Sequence, residues 1–139
     1  MANTLSSEPS GVKKLTVLID SWAWVEYFKG SSLGKKAAHH IEGSEDAIIS
    51  AINLAEVYRW FLKLYKEPQA EDARITITTR CTLVPVDEAI AVDAARIRNS
   101  ERLGLGDSIV LATARHEEAK IVSGDPELRR YAEVIFIGG

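Results

Sequence analysis

Apolar residues along this chain fall into short bursts separated by longer amphipathic stretches. Leu15 to Ile19 (Leu-Thr-Val-Leu-Ile) is a burst of mostly branched side chains, the pattern of a strand covered on both faces, and it stops at Asp20. Trp22, Val25 and Phe28 then recur at helical spacing up to Gly30, which predicts a helix over 21–29 with the glycine as terminator. A second helix is predicted over 33–41. Ala47 to Ser50 is a brief apolar run leading into 51–65, where Leu54, Val57, Phe61 and Tyr65 share one helical face.

Pro68 suits the first turn of another helix, but Ile75 to Thr79 is a β-branched run with strand propensity. Helix and strand both remain open there, and helix is the assignment adopted. Thr82 to Val86 reads as a strand that Pro85 confines to a sheet edge or to its own end. An alanine-rich helix is predicted from Asp87 to about Arg102, with Ile90, Ala94 and Ile97 facing inward. Gly104 and Gly106 break the chain, Asp107 opens a further helix to Ala119, and Lys120 to Ser123 is a strand. Asp125-Pro126 starts a short helix, and Val134 to Ile137 is the last strand. Strands alternating with helices predict a mostly parallel sheet wrapped by helices, because parallel neighbours need crossover connections.

The 139 residues, 46% of them hydrophobic, suffice for one core, read as a single domain over 15–139 behind a polar leader over 1–14. A net charge of -3 gives no global attraction to polyanions, so any nucleic-acid contact needs a local basic patch or bound cations. Lys29, Lys35, Lys36, Arg59, Arg96, Arg98 and Arg102 are scattered basic residues, a pattern more typical of solvated faces. The single cysteine, Cys81, excludes an intramolecular disulfide and a multi-cysteine zinc site and reads as a buried apolar residue. His39, His40 and His116 lack zinc-ligand spacing and are assigned to the surface. No segment approaches the ~20 apolar residues of a membrane span, so a soluble, cytoplasmic protein is expected.

In open parallel sheets, ligands gather beyond the carboxyl ends of the strands. Asp20 directly follows one predicted strand and Asp125 follows another by one glycine, which puts both on that rim. Asp107 lies after the Gly-Leu-Gly turn, and Glu56 lies early in the helix that leaves the strand at Ser50. Singly, each aspartate reads as a helix N-cap and Glu56 as a solvent-facing charge. Together, the apolar neighbours Leu54, Ala55 and Val57 suggest a half-buried Glu56, and carboxylates meeting at one rim need a hard divalent cation to stay ionised. Such a site activates water for attack on a phosphodiester.

Four segments resemble the PIN-domain ribonuclease family: Val-Leu-Ile-Asp20-Ser, Ile49-Ser-Ala-Ile-Asn-Leu-Ala-Glu56-Val, Gly-Leu-Gly-Asp107-Ser-Ile-Val-Leu-Ala-Thr-Ala and Ile-Val-Ser123-Gly-Asp125. They span almost the whole chain, and the compact length is similar to the toxin subgroup often called VapC. The resemblance implies an α/β fold, a three-layer α/β/α sandwich about a twisted, mostly parallel sheet, with a pocket for Mg²⁺ or Mn²⁺. It further implies that Asp20 and Asp107 are direct metal ligands, that Glu56 and Asp125 bind directly or through water, and that Ser123 is a supporting hydroxyl. Ser21 and Ser108 sit beside two acids, where orientation of ligands competes with local helix-start roles. The implied activity is RNA hydrolysis, and the implied partners are RNA, a cognate antitoxin and a second copy in a homodimer. The aromatic-rich helices over 21–29 and 51–65 carry more rings than one inward stripe each can hold; most read as core, the resemblance implies that some receive an antitoxin segment and help form the homodimer, and stacking on RNA bases is the lesser alternative. Two rivals predict other things. A phospho-signalling receiver domain predicts adjacent acids after the first strand and a lysine near Ile135, both missing from this sequence. A PIN-like interaction module without turnover predicts no RNA cleavage.

Overall fold

A computed structural model describes residues 14–139; the leader assigned to 1–14 lies, apart from Lys14, outside them. The described chain runs β1 (Thr16–Ile19), α1 (Ser21–Lys29), α2 (Ser32–Ile41), β2 (Asp46–Ser50), α3 (Ala51–Leu64), α4 (Glu67–Arg80) and β3 (Thr82–Val84). It continues through α5 (Glu88–Glu101), α6 (Leu105–His116), β4 (Lys120–Ser123), a 3-10 turn (Pro126–Leu128) and β5 (Val134–Phe136). The strands form one sheet in the order β3-β2-β1-β4-β5, and every pairing is parallel.

Alternation within each strand builds the layers. Val17, Ile19, Ala47, Ile49 and Val122 face a core completed by α1 to α4, whereas Leu18, Ile48 and Ile121 face a second core completed by α5 and α6. Because both faces of the sheet are covered, its strands are continuously apolar, as parallel sheets require. The expected three-layer sandwich is therefore the observed one.

Local chemistry explains the elements that were ambiguous. The run from Ile75 to Thr79 is helical: Ile77 is buried, and the Thr76 and Thr78 hydroxyls donate to the carbonyls of Asp72 and Arg74, four residues back, within α4. Packing of α4 along α3 outweighs strand propensity there. β3 sits at the sheet edge and ends before Pro85, as the proline requires.

On α1, Ala23 and Trp24 are fully buried, and Trp22, Val25 and Phe28 pack partly buried against the same core. Two expectations need correction. Tyr65, expected on the inner stripe with Val57 and Phe61, is exposed because α3 ends one residue earlier. His40 is not a surface residue; its ring is mostly buried and pairs with Glu45 through Nδ1 at 2.7 Å. No described helix is long and apolar enough to cross a membrane.

Candidate functional site

The chain order reverses direction across the sheet between β1 and β4, and the crevice at their carboxyl ends is where such folds place ligands. Asp20 stands there directly after β1, 3% exposed, with its N–H donating to the Val122 carbonyl at 3.0 Å. Its backbone occupies the N-cap position of α1, but its side chain makes no capping bond. Instead, Oδ1 accepts from Asn53 Nδ2 at 2.9 Å and Oδ2 from Ser123 Oγ at 2.6 Å. The capping account fails for Asp20 because both of its oxygens are already engaged across the sheet.

Asn53 is a residue of the candidate site that sequence reasoning missed. It is fully buried at the start of α3, where its Oδ1 accepts the Ser50 N–H at 3.3 Å and so aims the amide at Asp20. The signal was legible: an amide at position 53 shares the inward stripe of Val57 and Phe61.

Glu56 lies on α3 just beyond Asn53 and is exposed, not half-buried, because Ala55 and Glu56 both point away from the core. Ser21 Oγ donates to Glu56 Oε1 at 2.8 Å, so this serine serves the pocket rather than its own helix. Gly106 brings the start of α6 close as well, since a Cβ there would meet Glu56 Oε2 at 3.3 Å. Ser108, by contrast, keeps a local role, fully buried with its hydroxyl donating to the Leu103 carbonyl at 3.3 Å.

Asp107 does not open its helix; α6 begins at Leu105, which puts Asp107 inside the first turn. The capping role therefore falls to Gly104, and the helix N-terminus favours the nearby negative charge. Asp125 does cap, accepting the Glu127 N–H at 3.0 Å ahead of the 3-10 turn. Its own N–H donates to Ser123 Oγ at 3.0 Å, which ties it to the hydroxyl that holds Asp20.

Four carboxylates from β1, α3, α6 and the β4 end thus line one pocket of about 330 Å³, together with Glu26, which the sequence reading had not singled out. Among the described residues, the lining contains no basic side chain. Burial first, then repulsion from Glu56 and Asp125, lifts Asp20 to a pKa of about 6. Burial again, then the charges of Asp125, Asp20 and Glu56, lifts Asp107 to about 7. Hydrogen bonding to Asp125 raises Asp107 a little further. Glu26 differs, because Ser31 and Lys29 donate to it and hold its pKa low.

All-oxygen donors, with Asp20 and Asp107 raised, fit a hard divalent cation, whose charge would favour their ionised forms. Among the described residues, however, no group of three or more His, Cys, Asp or Glu side chains is already gathered to hold a metal ion. The pocket supplies the donor set without a closed coordination shell, as mutual repulsion between the carboxylates dictates.

No relative among curated proteins matches this sequence. Solved structures share its fold. A toxin-antitoxin complex from Klebsiella pneumoniae aligns with a TM-score of 0.73 and 22% identity, over 87% of this chain and 97% of that one. VapBC2 from Rickettsia felis, bound to a fragment of promoter DNA, aligns with a TM-score of 0.69 and 16% identity, covering 88% and 97%. Mycobacterium tuberculosis VapC20, a toxin that cleaves the sarcin-ricin loop, aligns with a TM-score of 0.67 and 16% identity, covering 85% and 98%. The PIN domain profile matches residues 17–134, from the first strand through the start of the last and across every acid of the pocket, and the chain therefore belongs to the PIN domain family.

Proposed function

We propose that this chain is a Mg²⁺- or Mn²⁺-dependent endoribonuclease, the toxin of a toxin-antitoxin pair. The observation that carries the reading is the meeting of Asp20, Glu56, Asp107 and Asp125 in one pocket with no basic partner in its lining among the described residues. Carboxylates placed only for stability would be paired. Family membership and the folds of the toxin complexes support the same reading.

Asp20 and Asp107 would hold the cation directly, and Glu56 and Asp125 directly or through water. When bound, the cation lowers the pKa of a coordinated water and stabilises the charge that develops on the phosphodiester. The chain's own residues do the positioning. Ser123 and Asn53 each occupy one Asp20 oxygen, leaving further lone pairs on both free to ligate. Ser21 fixes Glu56 from the opposite helix. Arg98 and Arg102 border a neighbouring cleft with Leu105, two residues from Asp107, where RNA phosphates would find the positive charge that the acidic pocket lacks.

An antitoxin and a second copy of the chain are the expected protein partners, and the cytoplasm is the expected compartment. A receiver domain is a different family and is set aside. A non-catalytic PIN module stays distinct by one assay: purified protein is incubated with mixed cellular RNA and Mn²⁺, with and without EDTA, beside Asp20→Asn and Asp107→Asn. Cleavage that needs Mn²⁺ and both aspartates supports the ribonuclease. Intact RNA, or equal cleavage by all three proteins, removes it.

A further inference from the structure

The pocket has two chemically different walls. Beside the carboxylates stand Trp22, Val25 and Trp60, which line the same space. Trp22 and Val25 lie three apart on α1, and Trp60 lies four residues beyond Glu56 on α3, so each ring shares a helix face with a pocket residue. Neither indole is loose. Gly124 admits the Trp22 ring so closely that a Cβ there would fall 2.3 Å from it. Trp60 is braced edge-on by Phe61, with ring centroids 5.0 Å apart at 84°, and by Tyr65 at 5.9 Å. Both stay only partly buried.

Resting on the ribonuclease reading, we infer that the Trp22 and Trp60 wall is a stacking platform for the nucleobase beside the cleaved phosphate. Four residues of helix rise carry Trp60 roughly 6 Å along α3 from Glu56. That spacing is of the order separating a nucleotide's phosphate from its base, so one nucleotide can present its phosphate to the acids and its base to the indoles. Every base has a π-face, so such a wall accepts RNA of varied sequence, but the base must be unstacked to reach it. The platform therefore selects single-stranded or looped RNA. The pocket lies at the small end of the range for ligand clefts, which suits one nucleotide. The other occupant its charge admits is a basic peptide arm of a protein partner, with an arginine stacked on an indole.

The test uses Asp107→Asn protein, which should retain RNA uncut while relieving repulsion in the pocket. Binding of a fluorescein-labelled single-stranded RNA octamer is followed by anisotropy, against an abasic ribose-phosphate octamer and an arginine-rich peptide. Trp60→Phe and Trp60→Leu are added to that background, with circular dichroism to confirm folding. Stacking predicts that the base-bearing RNA binds about tenfold more tightly than the abasic strand, that Trp60→Phe keeps most of this ratio, and that Trp60→Leu abolishes it. An unchanged ratio in folded Trp60→Leu overturns the inference and leaves the ribonuclease reading standing. So does a loss confined to the arginine-rich peptide, which would reassign the wall to a protein arm. Failure of the unaltered protein to cleave any RNA removes both.

Discussion

The two rims of the sheet carry similar numbers of charges and treat them in opposite ways. At the amino-terminal rim, charge is matched. Arg80 donates to the carbonyls of Ile41, His40 and Glu45 at 2.6 to 3.0 Å, the Glu45 carboxylate meets His40 at 2.7 Å, and Lys14 reaches Asp46 at 3.3 Å. At the carboxyl-terminal rim, Asp20, Glu56, Asp107 and Asp125 line one pocket, steadied by neutral donors from Ser21, Asn53, Ser123 and the Glu127 backbone N–H. The first rim clamps the α2 to β2 connection and needs nothing more. The second holds repulsion that lowers stability and that a bound cation would relieve. A stability–function trade of this kind separates the two regions more sharply than any motif does.

The largest expected effect separates the rims outright. Asp107→Asn should reduce Mn²⁺-supported RNA cleavage by about a thousandfold, the loss of several kcal/mol of transition-state stabilisation. The same variant should leave the urea midpoint of the metal-free protein unchanged or higher. A stability loss without an activity loss would place Asp107 with the structural charges.

Arg80→Ala should do the reverse. Removing three charged hydrogen bonds leaves carbonyls at the α2 end unsatisfied and should cost about 3 kcal/mol in urea unfolding. Its turnover per folded molecule should match the unaltered protein, measured at a temperature where both remain folded.

The pH dependence follows from the raised carboxyl groups. Asp20 titrates near 6 in the folded protein against 3.8 for its ordinary value, and Asp107 near 7. The folded state thus retains protons that the unfolded chain releases, so this stabilising contribution is complete below pH 4 and is lost as pH rises through 6 to 7. For Asp20 the loss amounts to about 3 kcal/mol at most. Metal-free protein should therefore show a lower urea midpoint at pH 8 than at pH 5, and Mn²⁺ should narrow the gap. A gap that persists unchanged in the Asp20→Asn variant would assign it to other groups.

Ser123→Ala should have the mildest effect, about tenfold on cleavage or on Mn²⁺ affinity, because the hydroxyl orients Asp20 and ligates nothing itself. Isothermal titration with Mn²⁺ distinguishes a weakened site from a misfolded one.

Much of this architecture was legible because it follows from neighbours in sequence. Bursts such as Val17-Leu-Ile19 announce strands buried on both faces, and Gly30 announces a helix end that its left-handed backbone, φ 68°, then bears out. The helix at 75–79 was undecided because intrinsic propensity and tertiary packing oppose each other there. The identities of the four acids were equally visible, and their convergence followed from the strand-end rule. Their individual states were not. Glu56 was read as half-buried from its apolar neighbours, yet helix rotation turns it outward, and Asp107 was read as a cap, yet α6 starts two residues earlier.

The sequence by itself therefore determined the parallel α/β layering and the rim on which the acids collect, since periodicity and strand ends act over a few residues. Only the tertiary structure decided that Asn53 would grip Asp20, that Ser21 would turn to Glu56 and that two indoles would wall the pocket. Asn53 and Ser21 stand 33 and 35 positions from the acids they hold, and no local pattern encodes the direction a side chain takes once three helices and two strand ends crowd one crevice.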